Sequence, residues 1–372
     1  MTTRILLREW PIAMIWGAFA VLSMIGSALE PNVIGVTPSL ALLVVIFLMM
    51  LTAVFRVVHH AECLAEIYGE PYGTLILTLS VIGIEVALIT AVMLTGDNAP
   101  TLARDTMFSV VMIVLNGLVG LSLILGGQRH GLQVFNLSGA NAYLIVLLPM
   151  AVTSLVLPSF TRSAPGGGLS ELQTIFQILM SLMLYGVFLR FQTVRKPAIF
   201  QQPAPAEGGN DASKSHGHDL PVHGAGFHII GLLMTLVPLV LMSKKLAVYV
   251  DFGIAQVGAP IALGGFIVAV MILTPEALAA FDSARQNQLQ RAVNICLGSA
   301  VATIGLTVPA VLIAAHFVNL PIELGLEAPE IVLLTLSLTI SIVTFLGLRT
   351  NSLQGVVHLV VFLAYVVLLF DA

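Results

Sequence analysis

A chain of 372 residues with 58% hydrophobic and only 9% charged side chains cannot cover a water-facing surface, because ordinary soluble domains carry about 25% charge. The formal net charge of −4 decides nothing about partners, since a bilayer protein's charges are sorted by side, and no basic block suggests a nucleic-acid partner. The two cysteines, Cys63 and Cys296, lack CxxC or Cys/His spacing, so neither a disulfide framework nor a zinc site is expected.

The composition reads as an all-α integral membrane protein, since helices satisfy every backbone group inside a bilayer. The N-terminal MTTRILLREWP places Arg4 and Arg8 ahead of an apolar run that lacks a small-residue cleavage pattern. A retained first helix over 11–28 is therefore expected instead of a signal peptide. A bilayer core needs about 20 apolar residues per helix. By that measure further spans follow at 38–57, 74–95, 106–126, 142–158, 173–193, 227–248, 259–281, 291–315, 329–348 and 354–371, about 11 transmembrane helices in all. EPYG, GDNAP, GGQRHG and LPSFTRSAPGGG supply turns between them. The 142–158 span is the weakest, being short and containing Pro149 and Pro158.

Lysine and arginine set the expected orientation. With the N-terminus inside, eleven of the 15 fall on inner segments, leaving Arg104, Arg162, Lys244 and Lys245 outside. The bias predicts a cytoplasmic N-terminus and places Asp371 and Ala372 on the opposite side. Residues 194–226, rich in Pro, Gly, Ser and Ala, read as a cytoplasmic linker. His216, His218, Asp219 and His223 within it have metal-ligating chemistry, but nothing there fixes a geometry and a solvated linker is the simpler reading. The organisation is then a peripheral N-terminal helix (1–30), a first five-helix repeat (38–193), the linker, and a second five-helix repeat (227–372).

Two carboxylates interrupt this apolar chain. Glu85 sits inside TLILTLSVIGIEVALITAVML (74–94), and Glu276 inside GGFIVAVMILTPEALAAF (264–281). An acid at bilayer depth costs roughly 2.5–3.5 kcal/mol on insertion scales, so it is kept only opposite a partner, a cavity or a permeating ion. Each acid lies in the second helix of its five-helix half. Because five is odd, the second half enters the membrane from the opposite side, giving an inverted repeat whose interface is a common transporter site. Pro275 removes a backbone donor and frees a carbonyl beside Glu276, which serves either as a kink or as an ion-binding break. Thr274 adds a hydroxyl, and Ser80 and Thr78 stand on the Glu85 helix. Asn116, Ser299 and Thr303, on the helix after each acid, are candidate neutral oxygen ligands or interhelical hydrogen-bond formers. Glu62, Glu66 and Glu70 lie just before the Glu85 helix, either gathering cations or forming a solvated face.

The segments HAECLAEIYGEPYGTLILTLSVIGIEVALI (60–89) and TGDNAPTLARDTMFSVVMIV (95–114) resemble the cation/proton exchanger branch of the calcium/cation antiporter superfamily. The resemblance continues through LTPEALAAF, QNQLQRAVNICLGSAVATIGLTVP and APEIVLL, over nearly the whole chain. It implies one peripheral helix plus two inverted five-helix repeats, with the essential glutamates at Glu85 and Glu276. It places the Gly-Ser of the second repeat at Gly298-Ser299 and further asparagines at Asn287 and Asn116. It also implies a bacterial inner membrane, in which the charge bias makes the C-terminus periplasmic. Calcium-centred members carry Gly-Asn shortly before each acid, where this chain has Val81-Ile82 and Ile272-Leu273. Val111-Met112 replace the Gly-Ser of the first repeat, and Ala302 replaces a glutamine. Fewer neutral oxygens surround each acid than calcium, with six to eight ligands, usually takes. The cargo is left open among Ca2+, Na+ and K+.

The expected activity is exchange of cytoplasmic cations for protons by alternating access, with both glutamates binding cation or protons in competition. A cation channel without proton coupling is the alternative. The chain has no HExxH, no GxSxG and no phosphate loop, so neither an enzyme nor a cofactor is expected, only inorganic cations, protons and the bilayer as partners.

Overall fold

The computed structural model describes residues 9–69, 72–93, 100–162, 164–203, 223–318 and 320–371. Helices account for nearly all of them. In chain order they are α1 (Trp10–Met24), α2 (Val36–Tyr68), α3 (Tyr72–Met93), α4 (Leu102–His130), α5 (Leu137–Phe160), α6 (Glu171–Arg195), α7 (Ala225–Val257), α8 (Ala262–Arg285), α9 (Leu289–Val318), α10 (Ala328–Thr344) and α11 (Ser352–Asp371). Among the described residues eight are long and apolar enough to span a bilayer; Thr78–Thr90 within α3, α1 and α10 are shorter apolar helices. They fall at the positions expected from hydropathy, though α7 runs on to Val257, past the expected end at 248, and two further differences have local causes. Helix α2 runs to Tyr68, eleven residues past the expected end, because FRVVHHAECLAEIY contains no helix breaker before Gly69, whose φ is +62°. Helix α5 spans the weak segment with Pro149 inside it, and it widens into a π-helical turn at Val152–Val156, which contains the Ser154 carbonyl that Pro158 leaves without its regular donor.

The linker expectation also changes at its near end. Residues 194–195 close α6, and Pro197–Phe200 form a short 3-10 turn. Phe200 is buried against the rings of Tyr143, Phe188 and Phe191. Lys214, His216, His218 and Asp219 lie outside the described residues.

Packing repeats across the two halves. Helix α2 packs on α7, and α1 lies against both. The third helix of the first half, α4, is held by α8, α10 and α11 of the second. Reciprocally, α9 is held by α3, α5 and α6 of the first half. Exchanging α2–α6 for α7–α11 leaves this pattern unchanged, as an inverted repeat requires. Helix α1 stands outside it and is fastened at its start, where Glu9 takes a two-pronged ion pair from Arg56 of α2.

Two apolar clusters result. The smaller joins α1, α2 and α7 through Ile15, Ile46, Met50, Leu239 and Met242. The larger joins α4–α6 with α9–α11 through Met107, Leu115, Leu147, Leu297 and Leu338. Helices α3 and α8 lie between, giving Ile84, Leu88, Val268 and Met271 to the first cluster and Ile89, Met93, Ala269 and Leu273 to the second. Gly265 lets α8 approach the α4 backbone, since a Cβ there would lie 2.8 Å from the Thr106 nitrogen. The helices carrying the two acids are thus the seam of the molecule.

Candidate functional site

A helix carries its side chains 3.6 to the turn, so residues four apart share a face. On α9, Ser299, Thr303 and Thr307 follow that spacing and form a ladder of hydroxyls along one side. The Ser299 hydroxyl donates to Glu276 Oε2 at 2.6 Å. Thr307 and Thr303 donate to Glu85 Oε2, at 2.8 and 3.2 Å. One helix therefore serves both acids, and reaches the Glu85 of the opposite half because α9 packs on α3. Thr303 and Thr307 bound a π-helical turn, where the ladder passes from one acid to the other. Pro309 removes the donor that the Gly305 carbonyl would take in a regular helix, and the turn widens there.

Glu85 is 2% exposed, and its Oε1 has no hydrogen-bond partner among the described residues. A buried carboxylate oxygen left unpaired is costly unless a proton or cation meets it. Glu85 and Glu276 line one cavity of about 390 Å3 and are close enough to repel each other. Its walls are Val81 and Ile82 of α3, Val110 of α4, Tyr143 of α5, Tyr185 and Phe188 of α6, and Ile272, Leu273 and Pro275 of α8. At one end the lining reaches Glu62, Gln192, Arg291 and Asn294, of which Glu62 and Arg291 are exposed. At the other end Met93, Met107, Leu324 and Leu326 are buried, and among the described residues no lining residue emerges. Among the described residues, the acids are reached from the end of Glu62 and Arg291.

The expected site residues divide. Glu85, Glu276, Pro275, Ser299 and Thr303 are brought together. Thr274 lies beside Glu276 in sequence but donates to the Val270 carbonyl of its own helix at 2.6 Å. Ser80 likewise donates to Ile76 at 2.7 Å. Neither lines the cavity. Asn116 is fully buried but turned away, donating to Ser337 at 2.8 Å and meeting His358 Nδ1 at 3.4 Å. Asn287 sits in the turn between α8 and α9 with φ +59°, accepting from Gln133 at 3.1 Å. It is a structural corner. Of the acids before α3, Glu62 joins the lining, Glu66 is exposed outside it, and Glu70 is outside the described residues.

Sequence reasoning missed Thr307, whose signal is its four-residue spacing from Thr303. It also missed Tyr143, Tyr185 and Gln192, which come from helices five and six. Gln192 donates to the Tyr143 hydroxyl at 2.8 Å, and Tyr185 hydrogen-bonds Thr78, tying α6 to α3. The site is lopsided. Met112 and Asn116 of α4 match Ser299 and Thr303 of α9 in the repeat, yet neither lines the cavity, where α4 contributes only Val110.

Sequence comparison agrees with this geometry. The pattern of the family described as sodium/calcium exchanger protein matches residues 38–194 and again 227–370, once per half. The chain belongs to that family. It is 41% identical over 321 residues, 86% of each chain, to the sodium-potassium/proton antiporter ChaA of Escherichia coli strain K12. Its fold is that of the solved structure of native YfkE, with TM-score 0.72 and 20% identity over 97% of this chain and 100% of that one. The solved H+/Ca2+ exchanger CAX gives TM-score 0.66 at 13% identity, covering 99% and 89%. This is a multi-pass membrane protein of the exchanger fold.

Proposed function

We propose that this chain exchanges a cation for protons, with Glu85 and Glu276 as the shared binding site of both. The observation that carries the reading is one cavity holding both acids, with donors from one hydroxyl ladder and an opening at exposed Glu62 and Arg291. Ionised, the two carboxylates form a charged site that is costly to leave empty at bilayer depth. Loading with a cation, or protonation, removes that cost. Only these two states can reorient, and cation movement is thereby tied to proton movement. A channel would need a path open at both ends, and among the described residues the end near Met107 and Leu326 is packed.

The cavity opens at the end where the arginine-rich loop ends of α4, α6 and α8 lie (Arg129, Arg195, Arg285), which the charge bias makes cytoplasmic. This state therefore receives cations from the cytoplasm of a bacterial inner-membrane protein, with the C-terminus periplasmic. Residues 38–193 and 227–372 act as the two repeats around the site. The donor set favours a monovalent cargo, Na+ or K+. The hydroxyls already point at the carboxylates, and α4 adds only apolar surface, whereas calcium takes six to eight oxygens.

The test is dye-monitored proton release from energised everted vesicles on adding Na+, K+ and Ca2+ separately. Release by Na+ or K+ at lower concentration than Ca2+ is expected. Cation uptake with no proton release would support the channel, and release by Ca2+ alone would overturn the monovalent assignment.

A further inference from the structure

The third helix of each half begins alike, with Leu102-Ala103-Arg104 in α4 and Leu289-Gln290-Arg291 in α9. Because the halves are inverted, these matching arginines lie at opposite ends of the bundle. The structure treats them differently.

Arg104 is 9% exposed. Its Nε donates to Asp105 Oδ1 at 2.8 Å, and its Nη1 to the Gly325 carbonyl at 3.1 Å, tying α4 to the segment before α10. Asp105 Oδ2 accepts from the Thr101 hydroxyl at 3.1 Å, and the Glu323 amide bonds the Pro100 carbonyl at 2.9 Å across the same junction. This is the packed end. Arg291 is exposed and lines the open end. Ala292 stands where Asp105 stands in the other half, so the acid at that opening is Glu62 of α2. Glu62 lies 26 residues from the start of α2, and Asp251 lies 26 residues from the start of α7. Each end of the molecule therefore carries one arginine from a third helix and one acid from the first helix of the opposite half.

We propose that Arg104 and Arg291 are matched closing residues, each binding its own end of the cavity shut by ion-pair and carbonyl contacts, with one engaged at a time. The structure holds Arg104 engaged and Arg291 released. In the opposite state α9 approaches α2, and Arg291 meets Glu62 and the chain before α5, which its neighbour Gln290 already touches through the Asn136 amide. Breaking a guanidinium ion pair costs little while it is exposed and much more once it is buried. Each latch therefore acts only after its end has closed, which makes the two closed states distinct. The inference rests on the alternating-access reading above.

The test reads sidedness without transport. In a Cys63→Ala, Cys296→Ala background, Leu273→Cys places a thiol on the cavity wall of α8, one turn to the packed side of Glu276. A membrane-impermeant methanethiosulfonate is added to right-side-out or everted vesicles. Arg104→Gln is expected to raise labelling from the packed side at least threefold and lower it from the open side. Arg291→Gln should lower packed-side labelling. Asp105→Asn, which keeps the arginine but removes its partner, should follow Arg104→Gln, and Arg104→Lys should stay near the parent. Changes of the same sign in Arg104→Gln and Arg291→Gln, or none in Arg104→Gln and Asp105→Asn, would overturn the proposal. Glu85→Gln exchange is scored separately, so a failed latch and a failed antiport reading give different results.

Discussion

Thr307→Val keeps the branched shape of the side chain and removes one O–H. Thr307 is 0% exposed, and its hydroxyl meets Glu85 Oε2 at 2.8 Å, the shorter of the two bonds to that oxygen. A hydrogen bond to a charged group contributes about 1.5–3 kcal/mol. The Thr303 bond at 3.2 Å survives in the single variant, which puts the loss at the lower end, about 1.5 kcal/mol. The donors favour the ionised carboxylate, the form that takes a cation, over the protonated one. Since 1.4 kcal/mol is a factor of ten, the half-saturating cation concentration should rise about tenfold. In Thr303→Val/Thr307→Val it should rise towards a hundredfold, about 3 kcal/mol by the same arithmetic. Thr307→Ser should restore most of the affinity. The assay is cation-stimulated proton release in everted vesicles at fixed pH, titrated with the transported cation. A double variant within twofold of the parent would show that the α9 hydroxyls do not support the site.

Cation and proton compete for the same carboxylates, so the half-saturating cation concentration should climb as pH falls, about tenfold per unit for each competing proton; a pH-independent value would contradict competition. Gly265→Ala places a Cβ 2.8 Å from the Thr106 nitrogen and 3.1 Å from its hydroxyl, and overpacking of this kind costs about 1–3 kcal/mol. Its unfolding temperature in detergent should drop, whereas Gly17→Ala, which meets nothing within 4 Å, should leave it unchanged. At Glu9, burial works against ionisation, but the Arg56 hydrogen bond and charge, with His60, outweigh it and hold the carboxyl below its ordinary value of 4.5. The anchoring of α1 is therefore fully present above that value and fades as pH drops below it. Limited proteolysis of the N-terminal segment should speed up at low pH and, at neutral pH, in Glu9→Gln.

The fold was legible because its strongest signal is physical and one-dimensional. Runs of apolar residues mark helices, and an odd number of them per half forces inversion. Glu85 and Glu276 were legible for the same reason, as charges where charge is expensive. What the chain does not display is the choice each neutral side chain makes among nearby partners. Asn116 and Thr303 occupy matching places on α4 and α9, yet only Thr303 reaches an acid. Ser337 and His358, delivered by α10 and α11, hold Asn116 elsewhere. Thr274 and Ser80 satisfy themselves on their own helices, a local competition that sequence cannot rank. Tyr143 and Tyr185 enter because α5 and α6 cross to pack on α9, a long-range pairing with no local signature. Thr307 was within reach, since the hydroxyls at 299, 303 and 307 repeat at one helical turn.

The most direct measurement is cation-stimulated proton release by Glu85→Gln and Glu276→Gln in everted vesicles, normalised to folded protein recovered from the membrane. Glutamine keeps the shape of each side chain and removes its charge and its titration. Abolished exchange in both variants, with near-parental amounts of folded protein, is the predicted result. Substantial exchange by either one would contradict a site that both acids share.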